Sequence, residues 1–243
     1  MTASRAQIAT FPGRNGILRA LSPESLSKLR PYLEFVDIPG QFELRTVTNA
    51  AQFLYFLNDG VVSLIIAMED GASAEIGVVG WEGIVGTPSV LGVADSPIRI
   101  VMQIAGNGYR INSEQLRAIL EQNREIARVL LRQATIQGLQ VAQVAGCNAL
   151  HTAEQRLSRW LLMVQDRVAL NPIPLTHEFL SILLGVTRPS VSVTVNAIAK
   201  KGAIRQEREG IRILNRNVLV QSSACECYGI IAKIGRRAFV QRQ

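Results

Sequence analysis

The sequence predicts an α+β chain: an N-terminal β jelly roll, one long helix and a C-terminal winged helix-turn-helix. Three observations predict it. From Leu33 to about Ile111, short β-rich runs are punctuated by Gly, Asn, Asp and Pro with no long helix between them, which argues for a sandwich over a parallel α/β sheet. Residues 112–145 then change to helical periodicity. Residues 176–204, THEFLSILLGVTRPSVSVTVNAIAKKGAI, read as two short helices joined at Leu184-Gly185-Val186.

Residues 14–31 read as a helical lead-in, with Ser22 as N-cap, Pro23 at the first helical position, and Leu26 and Leu29 on one side. The strands follow as LEFVDI, FELRTV, QFLYFL, VVSLIIA, AEIGVV, IRIVMQIA and YRI, with turn signals at Asn58-Asp59-Gly60 and Glu69-Asp70-Gly71. Ser113 is expected to cap a short helix ending near Glu121. The long helix is expected over about 123–145. Its stripe of Ile126, Val129/Leu130, Gln133, Ile136/Gln137, Gln140 and Val144 comes close to a heptad seam with glutamines in it. Such a stripe fits a helix packed on its own sheet, or a dimerisation helix whose polar seam positions set register. Dimerisation is the expectation taken forward, because a helix-turn-helix usually works as a symmetric pair.

Gly146 and Cys147-Asn148 read as a break. It divides the chain into a sandwich domain with its long helix, residues 1–146, and a helix-turn-helix domain, residues 147–243. Another amphipathic helix is expected over 150–169, with Leu150, Ala153, Leu157, Trp160, Leu161 and Val164 inward, ended by Asn171-Pro172-Ile173-Pro174. In the helix pair, Phe179, Leu180 and Leu183 form one apolar stripe; Val191, Thr194, Val195 and Ile198 form the second. Gly185 suits a left-handed turn, Thr187 an N-cap, and Pro189 a first turn where a missing N–H costs little. AIRQ and IRILN, joined by Glu207-Arg208-Glu209-Gly210, form a candidate wing, and the tail from Ser222 reads as a last short helix.

The net charge of +7 is unevenly spread. Residues 1–150 hold 12 Lys+Arg against 13 Asp+Glu, whereas 151–243 hold 14 against 6. A basic half attracts phosphate polyanions whatever their sequence. It lacks the one-sided cationic helix with aromatic anchors that favours a membrane surface, and no apolar run reaches the roughly 18–20 residues of a span. The N-terminus has no apolar h-region. Three cysteines, Cys147, Cys225 and Cys227, make a disulfide framework unexpected and a reducing, cytoplasmic compartment the expectation. No nucleophile–base constellation, Walker loop or dinucleotide fingerprint is present, so an enzyme is not expected.

The pattern TxxExLSxLLGVTRPSVS, with Thr176, Glu178, Leu180, Leu183, Gly185, Val186, Thr187, Arg188 and Val191 in place, resembles the DNA-binding signature of the Crp/Fnr superfamily of bacterial transcription regulators. Arg159-Trp160-Leu161-Leu162 and Ala224-Cys225-Glu226-Cys227-Tyr228 are similar to the family too. The resemblance covers nearly the whole chain, specifically in the last third and architecturally in the sandwich. It implies a cyclic-nucleotide-binding-like jelly roll and a homodimer that binds near-palindromic double-stranded promoter DNA and acts through RNA polymerase.

With Val191, Thr194, Val195 and Ile198 inward, the second helix presents Arg188, Pro189, Ser192, Val193 and Asn196. Arg188 is the first candidate for base reading, since a guanidinium matches guanine O6 and N7; Ser192, Val193 and Asn196 are the others, Val193 by packing on a thymine methyl. Thr187, Ser190, His177 and Lys200 are candidates for phosphate oxygens. Well-known members often carry Glu directly after the Arg and a second Arg near the next turn. Pro189 and Val193 stand there, so a different operator is implied.

Cyclic-nucleotide binders of the family carry Gly-Glu-Leu and then Arg-Ser or Arg-Thr about ten residues on. Here the stretch is Gly80-Trp81-Glu82-Gly83-Ile84-Val85-Gly86, with Ile84 in place of the Glu and a lone Arg99 downstream. A cyclic nucleotide is therefore not expected. The candidates for an effector pocket are Glu82, Gly83, Gly86, Arg99 and Gln133, with the effector open. Residues 1–146 hold no Cys, and His151 and His177 lie beyond them, so neither haem, iron–sulfur nor another metal is expected. The alternative is a ligand-binding or scaffold protein whose helix-turn-helix makes protein contacts.

Overall fold

A computed structural model of the chain describes residues 13–45, 52–93, 96–223 and 228. Its order is a short helical lead-in, an eight-stranded sandwich, a long helix and a winged helix-turn-helix. The lead-in is two helices, α1 (Gly16–Ala20) and α2 (Pro23–Leu29), and Ser22 caps α2 by accepting from Ser25 N, as expected. Asn15 caps α1. Its buried side chain accepts from Ile17 N and Leu18 N, and its amide donates to Leu57 O and Gly83 O at 2.9 Å, which ties the lead-in to the sandwich.

The strands are β1 (Glu34–Ile38), β2 (Phe42–Arg45), β3 (Phe53–Leu57), β4 (Val61–Ala67), β5 (Ser73–Val79), β6 (Ile84–Val85), β7 (Ile98–Ile104) and β8 (Gly106–Asn112). They form two antiparallel four-stranded sheets, β1-β8-β3-β6 and β2-β7-β4-β5. The expected turns hold Gly60 at φ 83° and Gly71 at φ 86°, a conformation glycine adopts without Cβ strain. Ile38, Tyr55, Leu57, Val62, Leu64, Val79, Val85, Ile100 and Met102 fill the space between the sheets. Two elements were not foreseen: β6 and the single turn α3 (Thr87–Val90).

Helix α4 (Ser113–Gln122) is capped by Asn112, not Ser113. The Asn112 carboxamide accepts from Glu114 N and Gln115 N, and Ser113 is the first helical residue. Asn123 caps the long helix α5 (Arg124–Leu150). The break expected at Gly146 and Cys147-Asn148 does not occur. The backbone stays helical to Leu150, and the interruption falls at His151, whose extended φ/ψ ends the run. Leu150 is consequently 83% exposed rather than inward.

The stripe expected as the dimer seam also lies on the inner face. Ile126, Leu130, Gln133 and Val144 are buried against their own sandwich, and Gln140 Nε2 donates to Val78 O at 3.2 Å. The opposite face carries exposed Leu131, Thr135, Gly138, Ala142, Ala145 and Ala149, spaced by alternating steps of four and three. That is heptad spacing with small residues, and it is hard to read from the sequence because hydrophobicity alone favours the inner stripe.

Helix α6 (Ala153–Gln165) begins with a reciprocal Thr152/Gln155 capping box. Its Leu157, Trp160, Leu161 and Val164 join Phe179, Leu183, Val191, Val195 and Ile198 in one core, which also takes in Val61, Val78 and Ile104 of the sandwich. Of the expected tail helix, Ser222 and Ser223 close a helical run from Leu219; the rest, with Cys225 and Cys227, lies outside the described residues apart from Tyr228, whose hydroxyl donates to Asp166 and accepts from Arg216.

Candidate nucleic-acid interface

The helix pair forms as its spacing predicts. Helix α7 (His177–Leu184) is capped by Thr176 Oγ1, which accepts from Phe179 N at 3.1 Å. Gly185 ends it in the left-handed region at φ 58°. Helix α8 (Arg188–Lys200) then departs at 92° to α7. Phe179, Leu180 and Leu183 are buried on one helix, Val191, Thr194, Val195 and Ile198 on the other. Trp160 braces the pair from below, its ring 5.5 Å from that of Phe179.

Burying that stripe turns the other face of α8 outward. Arg188, Pro189, Ser190, Asn196 and Lys200 are exposed, Ser192 is half-buried, and Val193 is 71% exposed. Thr187 occupies the N-cap position, but its hydroxyl meets Ser190 Oγ at 3.0 Å instead of a backbone N–H. The first N–H groups of α8 are thus left with no side-chain cap.

Two side chains without an assigned role in the sequence complete this surface. Glu178 Oε2 lies 3.5 Å from the Arg188 guanidinium, both largely exposed. The pair reaches ten residues along the chain and closes only because the turn folds α7 against α8. Gln206 meets the His177 ring nitrogen Nε2 at 2.9 Å and ties the wing to the start of α7. The wing is the hairpin β9 (Ile204–Glu207) and β10 (Gly210–Ile213), with Arg205 and Arg208 exposed. Arg212 donates to both oxygens of Glu207 and holds its carboxyl below the usual range.

The expected effector residues are dispersed. Glu82 Oε1 accepts from Arg167 Nε at 2.9 Å and from Gly80 N at 3.2 Å, so it joins the sandwich to the segment after α6. Arg99 donates to Glu43 across β2 and β7 at 2.8 Å. Gly86 sits at φ 96°, where a Cβ would come within 2.9 Å of Phe53 O. Only Gly83 and Gln133 meet: a Cβ on Gly83 would stand 3.0 Å from Gln133 Nε2 and 2.7 Å from Val79. The loop is packed onto α5 by its missing side chain. Among the described residues no group of His, Cys, Asp and Glu could hold a metal ion, and no single helix is long and apolar enough to cross a membrane.

Comparison with known proteins agrees with this geometry. Residues 155–222 match the family of Crp-like helix-turn-helix domains. No curated protein sequence matches the chain. Solved structures with the same fold include the c-di-GMP-responsive global regulator CLP of Xanthomonas campestris (TM-score 0.66, 15% identity, 80% of this chain and 100% of that one). FixK2 of Bradyrhizobium japonicum is similar at TM-score 0.66 and 16% identity, over 79% of this chain and 98% of its own. A CooA mutant of Carboxydothermus hydrogenoformans is similar at 0.59 and 14%, over 88% and 98%.

Proposed function

From a chain with the Crp/Fnr fold, whose residues 155–222 match the Crp-like helix-turn-helix domains, we propose a dimeric, sequence-specific DNA-binding transcription regulator. The observation that carries the reading is the outward face of α8, where Arg188, Val193 and Asn196 stand clear of the core that Val191, Val195 and Ile198 anchor. A recognition helix entering the major groove needs that division. Arg188, held by Glu178 at the helix start, reads a guanine, and Val193 packs on a thymine methyl; Ser192 and Asn196 contact base edges beside them. Thr187, Ser190, His177 and Lys200, with the wing arginines Arg205 and Arg208, lie against phosphates.

Two copies pair through the exposed α5 seam from Leu131 to Ala149. Small residues there allow close helix approach, and pairing sets two reading helices about 34 Å apart for successive major grooves. The reading domain is taken to run from α6, after α5 ends at His151. The sandwich responds to an effector whose identity is open and which is not a cyclic nucleotide, given Ile84 and the Arg99–Glu43 pair. The regulator works in the cytoplasm, where it meets RNA polymerase.

The test is selection of bound duplexes from a random-sequence pool, followed by anisotropy titration at several salt concentrations. A two-fold symmetric motif bound with a steep salt dependence supports the reading. Binding without sequence preference, or none at micromolar protein, defeats it in favour of a protein-contact module.

A further inference from the structure

Glu75 stands on β5, in the sheet that faces the C-terminal domain, and is 3% exposed. Its Oε2 accepts from Ser63 Oγ of β4 at 2.7 Å and from Trp160 Nε1 of α6 at 3.0 Å. The same oxygen is therefore bonded from both domains. Trp160 is 1% exposed and its ring rests on Phe179 of α7, so the contact leads directly to the helix pair. Asn148 Nδ2 of α5 approaches the Glu75 backbone carbonyl at 3.4 Å, which places the joint beside the end of the long helix.

We propose that Glu75 is a charge-gated latch between the sandwich and the reading domain: neutral, it holds α6 and the helix-turn-helix in the orientation seen here, and its ionisation loosens them. The regulatory half of this inference rests on the DNA-binding reading above; the latch itself does not.

Two effects compete at the carboxyl. Burial disfavours its charge, whereas the Ser63 and Trp160 donors and the nearby guanidiniums of Arg159 and Arg167 favour it. Arg159 is 3% exposed and its Nε has no hydrogen-bond partner, so no direct bond from that nitrogen secures the ionised form. Arg167 is already engaged by Glu82. Burial wins, and the carboxyl is pushed up to about 7 from its ordinary 4.5. A group whose closed-state pKa is raised stabilises closure fully below its open-state value. That stability is lost as pH rises through the closed-state value. The latch is thus fully shut only below about pH 4.5 and weakens as pH rises to about 7, by on the order of 10²-fold in the closed-to-open ratio, with little further change above that.

Tryptophan emission tests this on the full chain, because Trp160 and Trp81 are its two tryptophans. In a Trp81→Phe background, emission is expected to shift to the red as pH rises from about 4.5 to about 7 and to level off above that. Glu75→Gln keeps an acceptor for Trp160 and removes the charge; its emission stays blue throughout. Ser63→Ala removes a donor to the ionised form, so its midpoint moves upward. The latch is overturned if Glu75→Gln shows the same transition, if the parent shows none, or if the red shift comes on acidification. Should Glu75→Gln not fold by circular dichroism, an unmoved midpoint in Ser63→Ala overturns it equally.

Operator anisotropy at pH 6 and pH 8 then tests the coupling. The parent is expected to change affinity by more than Glu75→Gln does, a comparison in which pH effects common to the two proteins cancel. Equal changes overturn the coupling. A fluorescence transition without any DNA binding leaves the latch standing and removes the regulator.

Discussion

The helix-turn-helix and the sandwich loop each pair an Arg with a Glu beside a glycine turn, and the fold treats the two pairs in opposite ways. In the helix pair, Arg188 and Glu178 are 67% and 72% exposed and 3.5 Å apart, a loose pair that leaves the guanidinium open to solvent. In the sandwich, Glu82 and Arg167 are 20% and 12% exposed and 2.7 Å apart. That second pair is spent on joining one part of the chain to another. A binding group is one that the fold positions without consuming. By that measure the helix-turn-helix keeps its Arg available for the proposed reading, and the loop from Gly80 to Gly86 is a joint.

The largest expected effect breaks the proposed dimer. Ala142 lies at the middle of the exposed α5 seam, so Ala142→Glu would set two carboxylates against each other in an apolar interface. Sedimentation equilibrium is expected to show a monomer. Operator affinity should fall by about 10²–10⁴-fold, the gain that linking two reading helices supplies. Circular dichroism should be unchanged, since Ala142 touches nothing essential in its own domain. A variant that stays dimeric would return the seam to the inner stripe, or to another surface.

A smaller effect tests whether Arg188 is open for reading. Arg188→Ala is expected to relax preference at one base pair of each half-site, at about 1–3 kcal/mol per contact, as measured by competition between matched and mismatched duplexes. An equal loss on every duplex would make Arg188 a phosphate contact and reduce its pairing with Glu178 to a surface ornament.

The two regions were unequally legible in the sequence, for a physical reason. The helix pair is a local structure: its cap, turn glycine and apolar stripes all lie between Thr176 and Ile198, and periodicity finds them. The partners of the loop are remote. Arg167 is 85 residues from Glu82 and Glu43 is 56 from Arg99, and no local pattern announces either bond. Helix α5 misled in another way. It carries two periodic faces, and the more hydrophobic one is hidden against its own sandwich. Glutamines on that face, read as seam residues, serve the domain instead: Gln140 donates to Val78 O. At Asn112-Ser113 two good capping residues are adjacent, and only the backbone turn decides between them.

The smallest expected effect sharpens the comparison from the other side. If Arg99 is a cross-strand partner of Glu43, then Arg99→Ala removes one part-exposed ion pair on the sheet surface. With 37% and 33% of the two side chains open to water, solvent screening holds the loss to about 1 kcal/mol or less in urea unfolding. Operator affinity should not move. Cyclic AMP should give no binding heat with either the parent or the variant, because a phosphate would have to displace Glu43 and would find Ile84 where a ribose needs a carboxylate. Heat with the parent that vanishes in Arg99→Ala would mean that Arg99 leaves Glu43 for a ligand. The joint at Glu82 would then lie beside a working pocket, and the distinction between positioned and consumed groups would fail in the sandwich.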